Sequence, residues 1–378
     1  MNETPTLYER LNRLVDKGET RFGNQGWVFL VVFLLMLAAS FYVRPGTNYY
    51  GHGVHFEALS RNPLDLRNGN VLGFRIMTPL LAFLVGLRGK SFILLNLVFA
   101  GVTIGAVYRY FRSRSNQPGD ALFGAMCLTF SSVVLVTIYY AGFCDALTYL
   151  ALFLMWRWRS RPLLFYPLLL AGVLNHESVL FTIPWFAYLK VSDASRKSAA
   201  LAELLIGLGA VLLAYYLFRR WISLDGEIGL TSGSYLRSFI ADPLFAVKPA
   251  YLFYWVGLFS VFKLLWVFPL VAVVAMWKNG RRRDVYGIVI LMACAVSQLA
   301  IAYDTTRMLT LGFLVLIIPL EYLFTTGTYR FRQWAPWVLI GNLLVPQLYT
   351  AANIVEIMHS IPATLLRMII EKGPYWVG

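Results

Sequence analysis

Residues 27–43 read WVFLVVFLLMLAASFYV, an uninterrupted apolar run without a charged side chain. About 20 apolar residues in a helix cross the hydrocarbon core of a bilayer, and this run approaches that length. Comparable runs occupy 91–108, 120–139, 142–157, 199–217, 251–276, 285–302, 308–325 and 335–352. They predict an all-α polytopic bundle of about 10–11 transmembrane elements, including a broken pair and a short outer-face helix. Such long continuous runs exclude an outer-membrane barrel.

The composition of the whole chain agrees with a lipid environment. Of its 378 residues, 58% are hydrophobic and 14% charged, whereas soluble domains are about half apolar and a quarter charged. The net charge is +14, but the basic residues form short clusters between apolar runs. That pattern is typical of cytoplasmic loops, so we expect no nucleic-acid partner. Three cysteines without regular spacing argue against a disulfide framework.

The short apolar segment 74–88 decides the orientation. If it were a full span, the basic turns at 109–114 and 157–161 would face outward, against the positive-inside rule. We therefore expect this segment to dip into or lie on the outer face, with the N-terminus inside and the C-terminus outside. On this prediction the N-terminus is cytoplasmic and the first long loop, 44–90, is external.

A second interruption falls at Asn175-His176-Glu177, inside the apolar stretch 162–189. Each half of this stretch is too short to cross alone and upright. Broken backbone at membrane depth is tolerated only beside protein or a watery cavity. The sequence therefore predicts two half-length or strongly tilted helices that meet near an outward-opening cavity.

These predictions divide the chain into three parts. Residues 1–26 form a cytoplasmic amphipathic N-terminus, which lacks the apolar core of a signal peptide. Residues 27–352 form one transmembrane domain with outer loops 44–90 and 218–250. Residues 353–378 form a C-terminal segment on the outer side.

Ionisable groups collect on the predicted outer side, and such groups at membrane depth are functional candidates. The candidates are His52, His55, Glu57, Asp65, Arg75, Asp145, His176, Glu177, Asp304 and Arg307. For some of them a purely structural role is the alternative to a functional one. Asp145 can cap its helix, Asp304 and Arg307 can pair at i, i+3, and Arg75 can anchor at the headgroups.

Several of these residues occur in an order that resembles the GT-C superfamily of membrane glycosyltransferases, particularly its bacterial-type members. One span is followed by a long outer loop, and then by the short Pro-containing segment Arg75-Ile-Met-Thr-Pro79. A span ending in the basic turn Tyr108–Arg112 comes next, followed by Asp145-Ala-Leu-Thr-Tyr149 and the broken pair at 175–177. The resemblance covers roughly residues 27–190.

The resemblance implies a sugar donor carried on a polyprenyl phosphate. The sugar would pass to a lipid, glycan or protein acceptor at the outer face of the membrane. Membrane lipid would be a further partner. An acidic residue of the first outer loop is usually the base in that family. This chain has no Asp soon after its first span. Glu57 therefore becomes the candidate base, with Asp65 second.

The chemistry of the residues is compatible with that implication. An inverting transfer needs a carboxylate to take the proton of the attacking hydroxyl and cations to hold the leaving phosphate. We assign Glu57 or Asp65 to the first role and Arg75 and Arg307 to the second. Asp145 would shape the site or bind the acceptor, and His176 and Glu177 would line its floor. The remaining substrate-binding candidates are His52, His55 and Asp304.

Three alternatives stay open. His52, His55, Glu57, His176 and Glu177 together would suit a metal-dependent hydrolase or transferase, so a divalent cation is a possible cofactor. Broken helices with buried charges also occur in transporters, although the chain shows no inverted repeat. A glycan polymerase or ligase would share the lipid-linked donor.

Overall fold

The computed structural model describes residues 6–46, 52–64, 72–224, 241, 253–300, 302, 304–351 and 354–365. It is built almost entirely of α-helices, which confirms the predicted fold class. In its first half the helices are α1 Leu7–Tyr42, α2 His52–Arg61, α3 Met77–Leu84, α4 Phe92–Arg114, α5 Pro118–Thr129, α6 Ser132–Tyr139, α7 Asp145–Arg157, α8 Pro162–Asn175 and α9 Ile183–Asp193. In its second half they are α10 Lys197–Leu224, α11 Tyr254–Phe262, α12 Val267–Lys278, α13 Arg282–Ser297, α14 Thr305–Thr310, α15 Leu314–Thr326 and α16 Phe331–Leu344.

Six helical stretches of the described chain are long and apolar enough to cross a membrane. They are Leu7–Tyr42, Gly89–Arg114, Lys197–Trp221, Tyr254–Lys278, Arg282–Ala300 and Thr305–Thr326. Helices α5 and α6 make a seventh if the pair, bent by 47°, counts as one span. The chain is thus a multi-pass membrane protein. The other apolar elements named from the sequence correspond to the shorter helices α3, α7, α8, α9 and α16.

Helix α1 has two helical parts, the N-terminal helix and the first span, which meet at Gly23. Thr6 and Glu9 begin it with a reciprocal capping box, which satisfies free backbone N–H groups at the helix start. Gly23 lies within it at φ 69°, ψ 161°, outside helical geometry. A residue with a side chain would be strained at that positive φ. The kink therefore separates an amphipathic entry helix from the apolar span.

Segment 74–88 does not cross the bilayer. Its helix α3 has 8 residues and so spans about 12 Å, well under the thickness of the hydrocarbon core. Helices α1 and α4 run antiparallel, because Arg112 near the end of α4 pairs with Glu19 in the first half of α1 at 2.9 Å. The loop between them therefore leaves and re-enters at the same end of the bundle, as predicted.

The predicted span 335–352 was wrong in its second half. Helix α16 ends at Leu344, and Val345 is extended (φ −86°, ψ 120°) because the following Pro346 disfavours helical backbone at the preceding residue. The chain then forms an antiparallel hairpin of strand β1, Leu348–Ala351, and strand β2, Ile354–Ile357. Tyr349 is paired with Glu356 in its register.

The two ends of the bundle differ in charge. One end, here called the basic end, collects the turns that carry Arg112, Arg114, Arg157, Arg159, Arg281, Arg282, Arg283, Arg330 and Arg332. Ion pairs join these turns across helices, among them Arg114 with Glu321 and Arg332 with the buried Asp120. The opposite end, here called the cluster end, holds the start of α7, the end of α8 and the start of α14.

Lys263 is buried in the interior at the junction of α11 and α12. Its ammonium donates to the Tyr42 hydroxyl at 2.9 Å and to the Val345 carbonyl at 3.1 Å, and the same hydroxyl also donates to that carbonyl. A buried ammonium carries a desolvation penalty of roughly several kcal/mol that its partners must offset, and an apolar side chain of similar volume carries none. We expect Lys263→Met to leave the apparent melting temperature in detergent unchanged or raised. A marked fall would show that the ammonium is required.

Candidate functional site

A salt bridge between α7 and α14 lies at the centre of the cluster end. Arg307 donates from Nε to Asp145 Oδ2 at 2.6 Å and from Nη2 to Asp145 Oδ1 at 3.0 Å. The guanidinium lies over the Phe143 ring, 3.9 Å from its centroid. Both partners are almost fully buried. Such a two-pronged pair fixes orientation as well as charge, so it locks the starts of the two helices together.

Asp304 extends this pair towards the surface. It caps α14, and its Oδ2 accepts from Arg307 Nη1 at 2.8 Å and from the Tyr349 hydroxyl at 2.6 Å. Its Oδ1 accepts from the Arg307 backbone N–H at 3.4 Å, a long bond. The predicted i, i+3 pairing of Asp304 with Arg307 is confirmed, and Asp304 also caps its helix. The capping role considered for Asp145 is not seen, because Cys144 is the N-cap of α7 and no side chain bonds there. Because three donor groups of Arg307 are engaged by carboxylates, the guanidinium has little capacity left for a substrate phosphate.

The predicted break between α8 and α9 falls at His176. Helix α8 ends at Asn175, His176 is extended, and a 3-10 helix runs from Glu177 to Thr182. His176 Nδ1 accepts from the Ser178 backbone N–H at 3.2 Å, and its Nε2 lies 4.0 Å from Asp145 Oδ1. The break thus places an imidazole beside the buried salt bridge.

Asn175 anchors this break to two other elements. Its Oδ1 accepts from the Thr78 backbone N–H at 3.1 Å and from the Thr78 hydroxyl at 2.6 Å. Its Nδ2 donates to the Cys144 carbonyl at 2.6 Å and to the Thr148 hydroxyl at 2.8 Å. Asn175 and both threonines are fully buried. This side chain therefore holds α3, α7 and α8 in register.

A second two-pronged pair joins the first loop to the break. Arg75 donates from Nε to Glu177 Oε2 at 2.9 Å and from Nη2 to Glu177 Oε1. The side chains of Arg75 and Glu177 are 12% and 30% exposed, against 4% for Arg307. Arg75 is therefore the cluster guanidinium that a ligand reaches more easily.

The hairpin contributes residues that the sequence argument did not select. Glu356 accepts hydrogen bonds from the hydroxyls of Tyr139 (2.6 Å) and Tyr140. The Tyr140 ring lies 4.5 Å from the ring of Tyr349, centroid to centroid. A chain of contacts thus leads from Glu356 to Asp304 and the buried pair, with hydrogen bonds at both ends and the contact between the two tyrosine rings in the middle. The Tyr139-Tyr140 doublet before Asp145 is visible in the sequence, but the sequence does not show that Glu356 is its partner.

The remaining candidates come from the first outer loop. Glu57 lies on α2 and pairs with Arg61 at 2.7 Å, one turn on. Its neighbour Phe56 belongs to the same buried apolar cluster as Phe74 and Cys144, so α2 packs beside the segment that carries Arg75. His55 also lies on α2, half-buried. His52 starts that helix, but its side chain and the whole of Asp65 lie outside the described residues.

The metal-dependent alternative gains no support from the described part of the chain. There, no group of three or more His, Cys, Asp or Glu side chains is placed to hold a metal ion. The chemistry available at the cluster end comes instead from carboxylates, guanidinium groups, one imidazole and tyrosine hydroxyls. Those groups can bind an anion and move a proton.

A small cavity of about 150 Å³ lies at this end, beside the tyrosine pair. Arg44, Tyr139, His359, Ala363 and Thr364 line it. Since Tyr139 also bonds Glu356, the cavity adjoins the chain of contacts that ends at Asp304. Arg44 gives its lining a positive charge.

The chain matches no protein-family model, no curated protein and no solved structure. Its function must therefore be inferred from the geometry of the cluster.

Proposed function

We propose that the protein is a GT-C-like membrane glycosyltransferase of a bacterial inner membrane. It would move a sugar from a polyprenyl phosphate to a lipid, glycan or protein acceptor at the external face. The observation that carries the proposal is the pairing of Arg75 with Glu177 beside the buried Asp145–Arg307–Asp304 network. A guanidinium, which suits phosphate binding, thus lies next to carboxylates, which suit proton transfer. The site lies at the break between α8 and α9, where the first loop returns to the bundle.

The charge distribution supports the orientation. The basic turns gather at the end opposite the cluster, and short loops rich in Lys and Arg stay in the cytoplasm. The cluster then faces outward. A lipid-linked donor can enter such a site from the plane of the membrane, while its acceptor arrives from the aqueous side.

In this proposal Arg75 contacts the donor phosphate. A carboxylate takes the proton of the acceptor hydroxyl, and the oxygen forms a bond to the anomeric carbon. The bond from that carbon to the phosphate oxygen breaks, and the electron pair leaves with polyprenyl phosphate. Arg75 neutralises part of the charge that develops on this leaving group, which is where a fixed cation accelerates the reaction.

Among the described residues, two carboxylates compete for the role of base; Asp65, the second base candidate from the sequence, lies outside that part of the chain. Glu57 lies on α2 beside the Arg75 segment and is tied only to the exposed Arg61 in the contacts given above. Asp304 belongs to the cluster itself, and its Oδ1 accepts one long hydrogen bond. Asp145 is saturated by Arg307 and serves to position Arg307 and, through it, Asp304.

The test is turnover of a panel of polyprenyl-phosphate sugars by purified protein in nanodiscs, followed as release of polyprenyl phosphate. We expect Arg75→Gln to lower the rate about 100-fold, the scale seen when one preorganised donor is removed. We expect the base variant, Glu57→Gln or Asp304→Asn, to lower it about 100-fold or more, since general base catalysis contributes that much.

Asp16→Asn at the basic end is the matched control and should turn over donor at the rate of the unchanged protein. Glu57→Gln and Asp304→Asn distinguish the two candidate bases, because only one should remove turnover while donor binding persists. Full turnover in Arg75→Gln, Glu57→Gln and Asp304→Asn alike would refute the assigned site. Absence of turnover with every donor and acceptor class, in folded protein, would count against glycosyl transfer itself.

A further inference from the structure

A second and larger cavity lies at the basic end, far along the helices from the cluster. Its volume is about 210 Å³. It opens between α7, α9, α12, α13 and α15, and takes no part in the proposed transfer reaction. Drug-sized ligands occupy cavities of about 300–1,000 Å³, so this one accommodates a small group or one part of a larger molecule.

The mouth of this cavity is built from arginines held in place by acids. Asp193 at the end of α9 accepts from Arg159 Nε at 2.7 Å and also from Arg283 Nη2. Arg281 Nε donates to Asp284 Oδ2 at 2.6 Å. A guanidinium carries five N–H donors in a rigid fork. These contacts with carboxylates use one N–H group of each arginine, so further donors remain to meet an oxyanion.

The electrostatic balance favours an anion at this mouth. Three arginines and three acids line the cavity, so the lining alone is formally neutral. One of those acids, Glu321, is paired with Arg114 from outside the lining. Lys278 and Arg282 add positive charge in the adjoining turn. The surroundings are therefore positive, and at the level of lipid headgroups such a field attracts anionic lipid.

The floor of the cavity holds an independent sign of a ligand. Trp185 is 1% exposed, and its indole N–H has no hydrogen-bond partner among the described residues. A buried donor without an acceptor is unfavourable and rare. Trp185 lies eight residues before Asp193 on α9, so about 12 Å separates the two along the helix axis. The cavity thus presents arginines at its mouth and one unmatched donor deep among apolar side chains.

Apolar side chains continue from the cavity to the outside of the bundle. Gly287 and Ile288 of α13 line it. The neighbouring Tyr286 and Val289 on the same helix are 50% and 55% exposed. Trp277 of α12 is equally exposed and lies edge-to-face against Tyr286, 6.4 Å between ring centroids. An acyl chain leaving the cavity would meet this apolar surface.

We propose that this cavity binds the headgroup region of an anionic glycerophospholipid. The phosphate lies at the mouth against Arg159, Arg281 and Arg283. An ester carbonyl reaches inward and accepts the Trp185 N–H, and the acyl chains run along the exposed face of α12 and α13. Basic sites between transmembrane helices on the cytoplasmic side recognise anionic headgroups in this way. The site is separate from the cluster and does not depend on the proposed transferase activity.

The test is native mass spectrometry of delipidated full-length protein in detergent, titrated with diacyl phosphatidylglycerol, diacyl phosphatidylcholine or glycerol 3-phosphate. We expect the first phosphatidylglycerol to bind about tenfold more tightly than phosphatidylcholine, a difference of the size given by one charged hydrogen-bonded contact. Arg283→Gln should weaken that first binding event about tenfold. Trp185→Phe keeps the ring and removes the donor, and should weaken it about threefold to fivefold.

Arg109→Gln is the control, because this arginine is exposed on α4 near the same end of the bundle and does not line the cavity. It should change the first dissociation constant by less than about twofold. Unchanged binding in both Arg283→Gln and Trp185→Phe would overturn the proposal, as would an equal loss in Arg109→Gln. Glycerol 3-phosphate binding as tightly as phosphatidylglycerol would assign the cavity to a soluble phosphate compound and overturn the lipid assignment. Thermal unfolding of each variant verifies that it is folded.

Discussion

Arg307→Met should lower the unfolding free energy of the protein by about 3–5 kcal/mol, the cost of breaking a buried ion pair from one side. The substitution leaves Asp145 buried without its guanidinium partner, and Asp304 keeps only the Tyr349 hydroxyl among its side-chain partners. For a chain of this size the apparent melting temperature in detergent should fall by about 5–10 °C. A fluorescence-monitored thermal ramp measures it.

The double variant Arg307→Met, Asp145→Asn separates loss of the pair from loss of packing. It removes both charges of the central bridge, so its destabilisation should be smaller than the sum of the single effects, with a coupling of about 0.5–3 kcal/mol. If the two effects simply add, or if Arg307→Met melts with the unchanged protein, the buried bridge contributes nothing to stability. Lys263→Met is the comparison, because it removes a buried cation that is hydrogen-bonded to a hydroxyl and a carbonyl. If it is neutral or stabilising, as expected, loss of a buried cation does not by itself destabilise the protein.

Asn175→Ala should have the second largest effect on stability. The side chain makes the four hydrogen bonds that join α3, α7 and α8. Alanine leaves the Thr78 N–H and the Cys144 carbonyl without this partner in a fully buried site, which costs about 2–4 kcal/mol. Thermal unfolding in detergent measures the loss. Because Arg75 and Glu177 are carried by the segments that Asn175 joins, transfer activity should fall as well.

Asn96→Ala is the matched control for this prediction. Asn96 is equally buried, but its Nδ2 makes one hydrogen bond, to the Ala141 carbonyl at 3.0 Å, and its Oδ1 has no partner among the described residues. We expect it to cost about 1 kcal/mol. Equal losses in the two variants would mean that Asn175 fills space and does not organise the break.

The order of the helices could be foreseen more fully than the site. The apolar runs predicted the long helices. The basic turns predicted that 74–88 does not cross, which agrees with the helix of 8 residues found there. The break at 175–177 could be foreseen because polar residues interrupt an apolar stretch. The end of α16 could not be read from charge, since residues 345–352 contain no charged side chain. Pro346 was the local signal, and it outweighed composition.

The site residues divide in a similar way. Asp145, His176, Glu177, Asp304, Arg307 and Arg75 were selected because charges at membrane depth are expensive, and all six lie together at the cluster end. The sequence missed Asn175 as an anchor, together with Thr78, Tyr349 and Glu356. An asparagine or a tyrosine in a membrane sequence does not by itself indicate a functional site. Its importance depends on the partners that the fold brings to it.

By itself, the sequence determined that the chain is helical and multi-pass, and that its basic residues form clusters in some of the turns between apolar runs. Those properties follow from local hydropathy and from loop charge, which need no knowledge of neighbours. Only the tertiary structure decided that Arg307 pairs with Asp145 across 162 positions of sequence while Arg75 pairs with Glu177 across 102. The roles of the two arginines differ for that reason. A buried charge takes the partners that packing brings within hydrogen-bond distance, and sequence separation carries no information about that choice.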